Sequence, residues 1–116
     1  MHSELKASDL TELEATRRAE GAGDFQTAFT HLERAHILSQ KYALAHAATH
    51  LRMLRLGWRT RDAREVLGQL TRAIAALLFS RIWVPVGNTG RANVSAFTPM
   101  PLPEDLARAL EETRER

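Results

Sequence analysis

The chain has 116 residues, of which 44% are hydrophobic and 26% are charged, and its formal net charge is +2. This length fits one domain, and so small a net charge argues against nucleic-acid binding, which usually needs a concentrated basic face. The absence of cysteine excludes disulfides and thiolate metal ligands, and the longest apolar run is too short for a membrane span.

In the first half of the chain, apolar residues recur at helical spacing between turn signals. Ser8 and Asp24 are suitable N-caps for the first two helices, and a Gly-Ala-Gly break separates these helices. Gly57 is predicted to end the third helix. The predicted helices span about 8–20, 24–40 and 42–56.

In the second half, Asp62 and Glu65 form a capping-box-like start for a fourth helix, over about 62–80. All four prolines lie between residues 82 and 103, which predicts an ordered irregular arm rather than a helix. The arm contains apolar residues, including Trp83, and is therefore expected to lie over the helices. A short helix over 104–114 follows, and it is predicted to end at the charged residues 114–116.

These elements predict an all-α fold within a single domain, 1–116. The expected architecture is an antiparallel bundle of four to five helices built from helical hairpins, with an ordered Pro/Gly-rich C-terminal arm and a short final helix. The first two predicted helices and the Gly-Asp turn between them resemble a tetratricopeptide hairpin, although the spacing does not repeat along the chain.

A group of histidines and a glutamate provides the strongest chemical signal. His46 and His50 are four residues apart, and Glu33 is three residues before His36, so each pair shares one face of its helix. Folding the second helix against the third about Gln40 brings these four side chains to one height. The pattern predicts a metal site for Zn, Fe, Mn, Ni or Cu, since paired Glu and His ligands recur in helical bundles.

Two further residues are predicted as auxiliary. Folding the first helix against the second brings Glu14 near His31, and either residue could bind the ion or orient a ligand. Only one Glu-x-x-His motif is present, so a mononuclear site, or a dinuclear site completed across a homodimer, is favoured over a di-metal bundle site.

Other interpretations stay open. The histidines could form a buried polar network without metal. The same ion could serve a metal-dependent oxidase or hydrolase, and the tetratricopeptide-like hairpin with the apolar arm could form a protein-interaction module. The arm sequence GNTGRAN matches no phosphate-binding loop and is interpreted as a tight turn fixed by asparagine side chains.

The arm sequence VPVGNTGRANVSAFTPMPLPEDL, together with LERAHIL and HAATHLRML upstream, resembles a small bacterial family, the domain of unknown function 3703. The resemblance spans about Glu14 to Leu106, and Arg91 stands where the family usually has glycine. It implies a compact helical domain whose pattern includes the positions of Glu33, His36, His46 and His50. It implies no activity.

The sequence therefore predicts a cytoplasmic metal-binding helical protein with a role in metal handling. The metal ion is the expected partner, a homodimer is a further candidate, and neither nucleic acid nor a membrane is expected. The cytoplasmic assignment rests on the lack of a secretory signal in the sequence.

Overall fold

The computed structural model describes residues 1–80, 82 and 84–114. Residues 113 and 114 are described by their backbone alone. The predicted arm residue Trp83 and the charged end at Glu115 and Arg116 lie outside the described residues. The described chain forms five helices and no strand, which confirms the all-α prediction. The helices are α1 (Ser3–Gly21), α2 (Phe25–Ser39), α3 (Ala43–Arg59), α4 (Ala63–Phe79) and α5 (Glu104–Arg114).

Helices α1 to α4 pack against each other in chain order, and α5 returns to contact α1 and α2. The main apolar core lies among α1, α2 and α3, where Leu32, Met53 and Leu56 are fully buried. A second apolar cluster joins Leu5 of α1 to Leu38 of α2 and to α5. None of the helices among the described residues is both long and apolar enough to cross a membrane.

Helix α1 begins at Ser3, five residues before the predicted start. The prediction of Ser8 as the N-cap was wrong, because His2 caps the helix through its side chain. The first turn is helical because Leu5 is buried in the cluster with α2 and α5, and this burial stabilises it. Asp24 and Asp62 do cap α2 and α4, as predicted.

Gly57 does not end α3, which continues to Arg59. The chain reverses instead at Arg61, whose φ of 58° is left-handed. Gly57 lies inside the helix, where a Cβ atom would come 3.0 Å from the Cβ of Glu65 on α4. The glycine therefore allows α3 and α4 to approach closely, and the approach places polar side chains of α4 beside α3.

Candidate metal centre

Three imidazole rings meet between α2 and α3. His36 comes from α2, and His46 and His50 come from successive turns of one face of α3. The Nε2 atom of His36 lies 2.9 Å from that of His46 and 3.2 Å from that of His50, and the latter two are 3.1 Å apart. All three side chains are buried, with 3–7% exposure. The geometry thus brings one nitrogen from each ring to a common point.

The opposite nitrogen of each ring faces an oxygen atom. His36 Nδ1 lies 2.7 Å from the main-chain oxygen of Asn88, and His46 Nδ1 lies 2.7 Å from Ser80 Oγ. His50 Nδ1 lies 2.5 Å from Gln69 Oε1. Histidines that bind metals almost always donate their second ring N–H to such an oxygen, which sets the orientation of the ring.

The hydrogen bonds of these oxygens determine where the ring protons lie. A carbonyl oxygen can only accept, so His36 donates from Nδ1 to Asn88. The Gln69 amide nitrogen donates to Glu65 and to the Gly90 carbonyl, which turns its oxygen towards His50. The Ser80 hydroxyl donates to the Ala76 carbonyl and therefore accepts from His46.

Consequently all three rings carry their proton on Nδ1, and all three Nε2 atoms present a lone pair. No one of these Nε2 atoms can donate a hydrogen bond to another, despite the short distances. Buried lone pairs that face each other without a donor are unfavourable unless a cation lies between them.

At neutral pH, protonation of one of the rings does not supply the missing cation. Burial lowers the pKa of His36 well below its usual value, and charge on His50 or His46 would lower it further. Burial also lowers the pKa values of His46 and His50 to about 4. The three rings are therefore neutral at pH 7, which is the state in which imidazole binds a metal ion.

A buried carboxylate supports this arrangement from behind. Glu65 accepts from the Gln69 amide at 2.6 Å, from Arg91 Nε at 2.6 Å and from the main-chain N–H of Ala92 at 3.2 Å. These contacts fix the Gln69 amide, which in turn fixes His50. Arg91 thus takes part in holding the site.

The arm completes the support, and its turn is fixed by an asparagine as interpreted from the sequence. The Asn88 amide nitrogen donates to the carbonyls of Ser95 and Thr98, each at 2.7 Å, and its oxygen accepts from Gly90 N–H. Gly90 has a φ of +81°, and a Cβ atom there would lie 2.5 Å from Cδ2 of His36. The arm therefore packs directly on a ring of the cluster.

The other residues predicted for the site lie elsewhere. The Glu33 carboxylate faces Arg91 at 3.5 Å and is not in the group of potential ligands formed by the three histidines. His31 contacts Glu12 at 2.9 Å, and Glu14, two positions further along α1, is exposed. The register of α1 on α2 thus brings Glu12, rather than Glu14, to His31.

Sequence reasoning missed Gln69, Ser80 and Asn88, whose oxygen atoms orient the rings. A signal was present in α4, where polar and small residues occupy the stripe that faces α3 and the large apolar residues lie outside it. The stripe consists of Glu65, Gln69, Ala73, Ala76 and Ser80.

The three histidines form part of the wall of a cavity of about 540 Å³ between α4 and the arm. Most of the remaining wall is apolar, and Arg72 contributes a positive charge. Among the described residues that line the cavity there is no aspartate or glutamate. An ion held by the three rings would therefore keep an open coordination position towards an apolar space.

Comparisons with known proteins add a family but no activity. No curated protein and no solved structure matches the chain. Residues 3–110 match the family described as "Protein of unknown function (DUF3703)", and the chain belongs to that family.

Proposed function

We propose that this protein binds one transition-metal ion through the Nε2 atoms of His36, His46 and His50. One observation carries the proposal: three neutral, buried Nε2 lone pairs converge, and each ring is fixed from behind by a hydrogen-bond acceptor. Glu33 is not included, because its carboxylate faces Arg91.

The distances support the proposal. Tetrahedral coordination with Zn–N bonds of about 2.0–2.1 Å places the ligand nitrogens about 3.3 Å from each other. The three Nε2 atoms are 2.9–3.2 Å apart, so a small outward movement of the rings admits the ion. Three imidazoles from one chain favour a mononuclear site for Zn²⁺ or a neighbouring divalent ion such as Ni²⁺ or Cu²⁺.

A network of histidines without metal is less well supported. Such a network needs at least one N–H donor among the three Nε2 atoms, whereas the partners of the Nδ1 atoms take all three ring protons.

Metal analysis of the tag-free protein tests the proposal. After chelation and incubation with Zn²⁺, we expect one equivalent of zinc in the native protein and in His31→Ala, a matched variant that removes a histidine outside the cluster. His50→Ala should retain less than about a tenth of an equivalent, with circular dichroism to check its fold. Absence of zinc from the native protein, or equal zinc in His50→Ala, would refute the site.

The cavity favours a second function, a metal-dependent enzyme. Three histidine ligands with one open position are typical of catalytic rather than structural zinc, whose coordination is closed. The open position here faces a mostly apolar pocket of substrate size that is open to solvent on one side. Hydrolysis of a panel of activated esters by the zinc-loaded protein, compared with zinc-loaded His31→Ala and with His50→Ala, tests this function. Equal rates in all three proteins would exclude a hydrolase acting on such esters.

A further inference from the structure

We propose that the cavity binds a small organic monocarboxylate, whose carboxylate lies between Arg72 and the open position of the metal site and whose apolar body fills the remaining space. This inference rests on the metal site proposed above. It specifies the chemical class of the ligand, which the metal site alone does not.

The charge of the cavity calls for an anion. Arg72 donates to the carbonyls of Gly68 and Val94, each at 3.1 Å, and its buried Nε atom has no hydrogen-bond partner among the described residues. In the described part of the chain, no ion pair involves Arg72. A divalent ion beside this guanidinium would place three positive charges at a wall whose described residues include no carboxylate. Partly buried charge of one sign favours a counter-ion.

The remaining wall calls for an apolar body. It is formed by aliphatic and aromatic side chains from the end of α4 and from the arm, and the volume of about 540 Å³ lies within the range of small-molecule sites. Each buried methylene group adds to affinity, so a medium-chain acid should bind more tightly than acetate. The apolar wall includes Ala75, Phe79, Ile82, Val84, Pro85 and Phe97.

The Co²⁺-loaded protein allows the ligand and the metal site to be tested separately, because its visible absorption reports both metal binding and a change of the fourth ligand. We expect hexanoate to change the spectrum and to bind at least about tenfold more tightly than acetate. Hexanol, which has the same apolar body without the charge, should bind at least about tenfold more weakly than hexanoate.

Two arginine variants test whether Arg72 binds the carboxylate of the ligand. Arg72→Met should weaken hexanoate at least about tenfold, whereas Arg64→Met, on the exposed surface of α4, should leave it unchanged. A normal Co²⁺ spectrum that hexanoate does not alter, or equal binding of hexanoate, acetate and hexanol, would overturn the ligand proposal alone. Failure of the native protein to bind Co²⁺ would overturn the metal site and the ligand with it.

A second, independent observation concerns the opposite face of α3 and α4. Apolar side chains recur on α3 at seven-residue intervals and on α4 at alternating intervals of three and four. Every one of them is at least 49% exposed. We define this surface as the α3–α4 face, formed by Leu44, Leu51, Trp58, Leu67, Leu70, Ile74 and Leu77.

The helix geometry places the two rows on the same side. On α3, Trp58 follows Gly57, which contacts α4, and on α4, Leu70 follows the inward-facing Gln69. One residue is a turn of about 100° around a helix axis. Each row therefore lies about 100° from the contact between the two helices, in the same sense when each helix is followed from its N-terminus. Since the helices are antiparallel neighbours, both rows lie on the same side of the pair.

We infer that a second copy of the chain covers the α3–α4 face through a two-fold axis. Intervals of three and four are the spacing of a helical seam that packs against a like helix. Stable interfaces bury about 800 Å² on each partner, and seven large exposed apolar side chains supply an area of that order. A two-fold dimer uses the same patch from each copy.

Sedimentation and light scattering over micromolar to millimolar concentrations test the dimer. We expect twice the 13.0 kDa chain mass for the native protein and for Leu10→Lys, a matched change of an exposed leucine on α1. Leu70→Lys/Ile74→Lys should be monomeric, with an unchanged circular dichroism spectrum. A monomeric native protein would overturn the inference, whether or not it binds lipid vesicles. A double variant that remains dimeric would overturn it as well.

Discussion

Asp9 is a buried carboxylate on α1 that lacks a full set of partners. Its side chain is 8% exposed, and its Oδ1 atom has no hydrogen-bond partner among the described residues. Burial raises its pKa to about 6, while Arg52 lowers and Glu12 raises it to smaller extents. The folded protein therefore holds a proton at Asp9 more tightly than the unfolded chain, in which the pKa is 3.8.

The sign of this shift predicts the effect of Asp9→Asn. The charged carboxylate destabilises the fold fully above pH 6, and the penalty disappears as the pH falls towards 4. Asp9→Asn should thus raise the free energy of unfolding by about 1–3 kcal/mol at pH 8 and by much less at pH 4.5. Urea denaturation at both pH values measures the difference, and the exposed Glu14→Gln should show none. A gain that is larger at pH 4.5 would contradict the assignment.

Gly90 and Gly23 offer a matched pair of left-handed glycines. Both have φ near +80°, but a Cβ atom at Gly90 would collide with His36, whereas one at Gly23 would meet no atom within 4 Å. Gly23→Ala should cost about 1–2 kcal/mol for the backbone alone and leave zinc affinity unchanged. Gly90→Ala should cost more stability and weaken zinc at least about tenfold, as measured by competition with a chromogenic chelator. Equal zinc affinity in the two variants would contradict the contact with His36.

At the scale of elements, the arm after α4 is held together internally by the side chain of Asn88. The side-chain amide of Asn88 donates to the main-chain carbonyls of Ser95 and Thr98. The main-chain carbonyl of Asn88 accepts from His36. Asn88→Ala leaves these carbonyls without their donor and should cost about 2–4 kcal/mol. Hydrogen exchange across residues 84–100 should rise, while the exposed Asn93→Ala should leave it unchanged. Unaltered protection in Asn88→Ala would show that other contacts hold the arm.

Helical periodicity predicted all five helices, whereas local end signals predicted only some of their ends. Asp24 and Asp62 marked helix starts correctly because a cap is a local interaction. The errors at Ser8 and Gly57 arose because contacts with distant elements decided the outcome. Burial of Leu5 against α2 and α5 extended one helix, and close packing of α3 on α4 allowed a glycine within another.

The candidate site shows the same division. The spacing of His46 and His50 predicted two rings on one face, and the hairpin about Gln40 predicted that His36 would join them. The oxygen atoms that accept from the Nδ1 atoms could not be predicted, since their residues lie 19, 34 and 52 positions from the histidines in the chain. Glu33 had the right spacing, but Arg91 from the arm pairs with it.

At the scale of the whole molecule, the cluster connects most of the fold. The rings belong to α2 and α3, and their partners belong to α4 and the arm, so an ion that binds the folded state stabilises all of these elements together. Zinc at one hundred times its dissociation constant should add about 2.7 kcal/mol to the free energy of unfolding. Calorimetry should show a lower Tm after chelation and recovery on adding zinc. A Tm of His50→Ala that responds equally to zinc would point to binding elsewhere.

The order of these parts along the chain has a consequence for biosynthesis. All three histidines of the cluster are translated within the first fifty residues, whereas the groups that orient them follow only between Gln69 and Asn88. A half-made polypeptide on the ribosome thus contains all three histidines but lacks the hydrogen-bond acceptors that orient their rings. If the cluster binds the proposed ion, the C-terminal half must therefore be synthesised and must fold against α2 and α3 before the three rings are oriented for binding.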